Sequence, residues 1–190
     1  VDALMALAVA GAATRRIELG TAVVPTYPRH PTVLASQALT AQDATGNRLA
    51  LGIGLSHQMM IEGSLGLDYS KPIPHMREYL TILNGLLAGE PVRFSGELFK
   101  VNAQVRVSGA KKPPVLVAAL GPDMLRLCGR LADGTITWMG GIDYLRTGNW
   151  QSLLSDQPML LRNFRVFLTV SRPFMRTHTG GIGDVGWLQR

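Results

Sequence analysis

Short apolar segments separated by stretches of helical periodicity occupy residues 1–139, and this alternation constrains the fold more than any other feature. The segments are Ile17 to Val24, Arg48 to Leu55, Pro114 to Ala119 and Thr135 to Met139. They are apolar on both faces, as strands are when covered from both sides. Between the first two, Val33, Leu34, Gln37, Ala38 and Ala41 mark a helix from about Thr32 that closes at Gly46-Asn47. Met76, Tyr79, Leu80, Leu83, Leu86 and Leu87 mark a second, and Gly121-Pro122 opens a third that runs to about Ala132. Leu4, Leu7, Ala8 and Ala12 give an opening helix, expected to be one whose beginning is cut away. Residues 92–107 read instead as a short hairpin turning at Ser95-Gly96, an excursion beside the main fold. Strands that alternate with helices imply parallel βαβ units. Two architectures satisfy this, the doubly wound sheet and the (β/α)8 barrel, of which four strands are half.

Composition narrows the function. Of 190 residues, 46% are hydrophobic and 17% charged, which suits a globular chain rather than a disordered one. No run of about 18 apolar residues is present, so no membrane-spanning helix is expected. The net charge is +6, but Arg15-Arg16 and Lys111-Lys112 are the only adjacent basic pairs. That lacks the clustered basic face of a nucleic-acid protein. The single cysteine, Cys128, excludes an internal disulfide framework and fits a cytoplasmic location. His30, His57, His75 and His178 have no metal-ligand spacing, so no metal site is expected. After about residue 145 the texture changes to glycine and aromatic residues without periodicity. Residues 146–190 are therefore expected to be a separate tail, poorly ordered or derived from a shifted reading frame, and 1–145 an incomplete domain.

In parallel α/β folds ligands gather at the carboxyl ends of the strands. That rule selects residues 22–25, 55–57, 119–121 and 138–140. Gly52-Ile53-Gly54-Leu55-Ser56-His57 has the first two glycines of a dinucleotide fingerprint, but His57 stands at the third and no helix clearly opens there. Nor is it a nucleophile elbow, since no glycine follows the serine. His57, placed just after a strand, is either an ordinary surface histidine or a proton donor and acceptor near neutral pH. Gly121-Pro122 is either plain helix initiation or a phosphate site made by free N–H groups at a helix start.

The combination of several motifs resembles the luciferase-like monooxygenase superfamily, in its group that uses the deazaflavin coenzyme F420. The motifs are Ile17-Glu18-Leu19-Gly20-Thr21-Ala22-Val23-Val24-Pro25, Tyr27-Pro28-Arg29-His30-Pro31, Gly52-Ile53-Gly54-Leu55-Ser56-His57, His75-Met76-Arg77-Glu78-Tyr79-Leu80, and Pro114-Val115-Leu116-Val117-Ala118-Ala119-Leu120-Gly121-Pro122. Ala132-Asp133-Gly134 before the last strand also fits. The resemblance covers roughly residues 1–145. It implies a partial (β/α)8 TIM barrel, with this chain supplying the third to sixth strands and the first two preceding Val1. It also implies a hydride transfer between F420 and an unidentified small organic substrate. The alternatives are an FMN-dependent monooxygenase of the same superfamily, a catalytically inactive fragment, and a relative that binds flavin without turnover. By position, Ala22-Val23 would form a cis peptide in a bulge behind the ring. Leu55, Ser56 and His57 would face the ring, with Ser56 and His57 as the catalytic pair. Ala119, Leu120 and Gly121 would meet the cofactor phosphate. Some relatives carry a carboxylate where His57 stands. A homodimer is a further implication.

Overall fold

The computed structural model describes residues 1–138 and 165–169. These fall into two compact units, Val1–Val115 and Leu116–Arg190.

The first unit opens with α1 (Ala3–Ala12), capped by Asp2, whose carboxylate accepts from the Met5 N–H at 2.9 Å. The apolar run expected over Ile17 to Val24 is not one strand. It is split into β1 (Leu19–Gly20) and β2 (Val24–Pro25), both parallel to β3 (Leu49–Gly54). Leu19 pairs with Leu49 and Gly20 with Ala50, but Val24 pairs with Ile53. Four residue steps on one side thus match three on the other, so one extra residue bulges out between β1 and β2. Within that bulge the Ala22-Val23 peptide is cis, as the resemblance implies.

Helix α2 (Pro31–Ala44) has Pro31 at its first position, where a missing N–H costs nothing. Gly46 and Asn47, at φ +64° and +63°, reverse the chain from α2 into β3. Helix α3 (Pro72–Leu87) begins four residues before the Met76 expected from its apolar stripe. Pro72 and Pro74 resemble loop residues, yet both lie in the first turn, whose N–H groups have no intrahelical partner. The core of this unit lies on either side of α2, where it packs against α3 and against β3. Leu34, Ala35, Ala38, Leu51, Ile53, Leu80, Ile82, Leu83 and Leu86 are all fully enclosed there.

The hairpin is present as antiparallel β4 (Val92–Ser95) and β5 (Lys100–Ala103). Glu78 of α3 fastens its turn, accepting from the N–H groups of Glu97, Leu98 and Phe99 at 2.8, 3.0 and 3.0 Å. Burial acts to raise the Glu78 pKa, but the three donors and Arg77 outweigh it, and the net shift is downward. Gly96 leaves room for this carboxylate: a Cβ there would stand 2.4 Å from its oxygen, so Glu78 would have to shift away from the turn.

Arg48, at the entrance to β3, joins two helix ends. Its Nε donates to Thr45 O at 2.7 Å. Its Nη1 donates to Thr14 Oγ1 and Ile17 O, at 3.2 and 2.9 Å. Its Nη2 donates to Gly11 O and Thr14 O, at 2.8 and 2.9 Å. The Gly11 and Thr14 carbonyls lie at the end of α1 and the Thr45 carbonyl at the end of α2, where the helix dipole favours a cation. Arg48→Ala is expected to lower the unfolding free energy by about 2 kcal/mol in urea titrations. Arg48→Lys should recover little of it, because an ammonium cannot span carbonyls from two helices as the planar fork does.

The second unit contains β6 (Val115–Ala118), which begins at the last residue of the first unit, α4 (Pro122–Leu131), β7 (Gly134–Trp138) and β8 (Arg165–Thr169). β6, β7 and β8 pair in that order and in parallel. β8 was not expected, as the sequence reading placed no strand beyond residue 145. The remaining residues of the proposed tail lie outside the described ones. Leu116, Val117, Met124, Leu125, Leu127, Cys128 and Ile136 form the core of this unit. Burial pushes the Cys128 thiol up to about 12, so it stays protonated and acts as a small apolar side chain.

Candidate functional site

The break between β1 and β2 removes backbone partners from the middle of β3, and one side chain replaces them. The Thr21 hydroxyl donates to Gly52 O at 2.7 Å and accepts from the Gly52 N–H at 2.8 Å. Thr21 is 3% exposed, so these bonds form away from solvent. On either side the backbone ladder continues: Thr21 N–H donates to Ala50 O, and Thr26 N–H to Gly54 O. Thr21 thus satisfies both backbone groups of Gly52 across the bulge, where Ala22 is exposed and Val23 half-buried beside it. Together they give a small apolar surface within the bulge, between β1 and β2.

Leu55, Ser56 and His57 continue from the carboxyl end of β3, the strand next to that bulge. Leu55 and Ser56 are half-buried and His57 is exposed. Ser56 adopts a left-handed backbone, φ +67°, uncommon for a residue other than glycine. His57 does begin a short helical element, contrary to the expectation of none. Its carbonyl accepts from the N–H groups of Met60 and Ile61, starting a π-helical turn at Met59–Ser64. Six residues of π-helix do not make the long helix of a dinucleotide fold. Among the described residues, no hydrogen bond or ion pair holds the His57 imidazole, which leaves both ring nitrogens available.

Sequence reasoning missed the aromatic group beneath this turn. His75, 6% exposed, stacks on Tyr27 with ring centres 4.0 Å apart and planes 14° apart. Its Nε2 is 3.1 Å from Thr26 Oγ1. Tyr79 and Phe99 enclose its remaining faces, and Tyr79 donates to Arg29 O at 2.9 Å. Burial lowers the His75 pKa to about 4, against a weaker opposing pull from Glu78, so the ring is neutral at pH 7. Burial also raises Tyr27, to about 12, helped by Tyr69, Asp68 and Glu62. The available signals were slight: a threonine inside an apolar strand, and a histidine four residues before Tyr79 on the core stripe of α3.

Ala119, Leu120 and Gly121 belong to the second unit. They follow the carboxyl end of β6, where the Ala119 N–H donates to Ile136 O at 3.2 Å. Ala119 is buried, while Leu120 and Gly121 are exposed. Gly121 is the N-cap of α4, and a Cβ built on it would meet nothing within 4 Å. Pro122 has no N–H, so the first donors of the helix come from Asp123 onward. Trp138 ends β7, and residues 139 and 140 lie outside the described ones. Among the described residues, no group of three His, Cys, Asp or Glu side chains is disposed to hold a metal ion. None of the described helices is long and apolar enough to cross a membrane.

Parallel strands, one of them bulged, with intervening helices define the α/β class of fold. The chain belongs to the luciferase-like monooxygenase family, whose model matches residues 1–147. It is 37% identical over 129 residues to a 5,10-methylenetetrahydromethanopterin reductase of Archaeoglobus fulgidus, covering 65% of this chain and 37% of that protein. It is 34% identical over 160 residues to an F420-dependent glucose-6-phosphate dehydrogenase of Microbacterium testaceum, covering 82% of this chain and 47% of that protein. The chain thus spans about half the length, or less, of these curated relatives. In fold it matches the coenzyme F420 dependent tetrahydromethanopterin reductase of Methanopyrus kandleri, with a TM-score of 0.75 at 22% identity. That match covers 88% of this chain and 54% of the solved one. The fold is accordingly a partial (β/α)8 barrel.

Proposed function

We propose that this chain carries part of the active site of an oxidoreductase that moves a hydride between coenzyme F420 and a small organic substrate. The observation that carries the reading is the bulge: Ala22 exposed and Val23 half-buried, held by Thr21 against Gly52 of β3, the strand that ends in the Leu55–His57 turn. The name of one relative, an F420-dependent dehydrogenase 34% identical to this chain, supports the choice of coenzyme, and that of another, a reductase 37% identical, the choice of a redox reaction. F420 supplies the hydride chemistry when bound.

The chain's own residues bind, orient and handle protons. Ala22 and Val23 back the ring without competing polar groups, and Leu55 packs at its edge. His57, exposed and unheld, gives or takes a proton at a ring nitrogen, and Ser56 Oγ polarises the reacting atom. In the second unit, the exposed backbone at Leu120-Gly121 and the start of α4 take a phosphate, with Ala119 fixing their position through Ile136. Cytoplasmic location and a second copy of the chain as partner belong to the same proposal. Met5 and Val9, both exposed on α1, are surface that such a copy would cover.

A second reading, an FMN-dependent monooxygenase, is favoured by the family itself. Titrating the chain into F420 and, separately, into FMN distinguishes them by fluorescence. F420 quenching that saturates, with FMN unaffected, is expected. Val23→Asp should weaken it at least about tenfold, by placing a carboxylate against the ring. Quenching of FMN alone would favour the monooxygenase, and quenching of neither would overturn both.

A further inference from the structure

We propose that Tyr27, His75 and Tyr69 form a positioning relay that holds the Ser56–His57 turn in its working conformation. The significance of that turn rests on the function proposed above.

The relay starts in the core. His75 is locked from three sides, by the Tyr27 ring at 4.0 Å, the Tyr79 ring at 5.7 Å and the Phe99 ring at 5.3 Å. Its contact with Thr26 Oγ1 fixes the ring's rotation. Tyr27 lies flat on this support and reaches the far end of the segment that follows His57. Its hydroxyl is within 3.4 Å of both Tyr69 O and Ser70 O, and its ring stacks on that of Tyr69 at 5.0 Å. Tyr69 in turn donates from its hydroxyl to Ser56 O at 3.3 Å. The path therefore leads from α3 to the residue with φ +67°, one position before His57.

The segment needs such a hold. Residues 57–60 and 62–68 are all exposed, with Met59 at 82% and Met60 at 52%. Ile61, 1% exposed, is its one buried side chain. Few buried contacts mean a low local opening free energy, so each hydroxyl bond at its ends has weight. Tyr27, His75 and Tyr69 touch no reacting atom in this account; they act through Ser56 and His57.

Amide hydrogen exchange on the chain, with and without F420, tests the relay. Tyr69→Phe keeps both ring stacks and removes only the bond to Ser56 O. Exchange at residues 57–61 is expected to rise about fivefold, the worth of one hydrogen bond, while exchange in Leu49–Gly54 stays unchanged. The Kd for F420 should rise by a similar factor. His75→Leu, which removes the support of Tyr27, should give the same local pattern, and His75→Phe should partly restore it. Unchanged exchange at 57–61 in Tyr69→Phe, or an equal rise in Leu49–Gly54, overturns the relay. If F420 binds neither wild type nor variants, the proposed function fails while the exchange result still decides the relay.

Discussion

Thr21→Val is expected to destabilise the chain by about 4 kcal/mol, although the two side chains have nearly the same shape. The hydroxyl is the partner of both the N–H and the C=O of Gly52. Valine leaves two buried backbone groups unsatisfied, each worth about 1–3 kcal/mol. Water cannot replace the hydroxyl easily, because Thr21 and Gly52 are both buried. Thr21→Ser keeps the hydroxyl and should stay within about 1 kcal/mol of wild type. Urea unfolding followed by circular dichroism reads both. A Thr21→Val variant as stable as the Ser variant would mean that the bulge does not depend on this bridge.

Acid should weaken the fold over a defined range, through His75. Burial lowers its pKa to about 4, from the 6.5 it has when exposed to solvent. Between those values the unfolded chain binds a proton that the folded chain refuses. Stability is therefore complete above about pH 6.5 and falls as pH drops toward 4, by about 3 kcal/mol in all. The groups around the ring support this direction. Tyr27, Tyr79 and Phe99 are uncharged, and Glu78 opposes only weakly. Glu78, held below its ordinary 4.5, adds to the loss only from about pH 4.5 downward, at the acid end of this range. Urea midpoints at pH 7.0, 5.5 and 4.5 should decline for the wild type, while His75→Phe should remove most of the slope. A wild-type slope that persists unchanged in His75→Phe would assign the acid sensitivity elsewhere.

What could be read in the sequence follows from which forces leave a linear trace. β3 was legible because Leu49 to Gly54 is buried on every side, and such a strand has to be apolar throughout. α2 showed in the helical period of Val33, Leu34, Gln37, Ala38 and Ala41, and α4 in Pro122 at its first position. The interruption at Ala22-Val23 leaves no mark in hydropathy, since the run is equally apolar with or without a bulge. Only its similarity to a family pattern suggested it. The aromatic relay was illegible for another reason: Tyr27, Tyr69 and His75 are joined by stacking across 42 and 48 positions of sequence, and no local period encodes that. β8 escaped notice because Arg165 to Thr169 has only three apolar residues and no helix signal was recognised before it. In the first unit, Ala22 and Val23 lie in the bulge between β1 and β2, and Leu55–His57 follow the end of β3, the strand with which both β1 and β2 pair. The assignment of these residues, and of Ala119, Leu120 and Gly121, to a cofactor is a proposal that binding data must test.

The most direct test is a nuclear magnetic resonance titration of the isotopically labelled chain with F420. The account predicts saturable shifts in the amide and methyl signals of Ala22, Val23 and Leu55, and in the amide and ring signals of Ser56 and His57, while Met5 and Val9 on α1 stay unmoved. Saturable shifts confined to residues away from the bulge, with Ala22, Val23 and His57 unaffected, would contradict it.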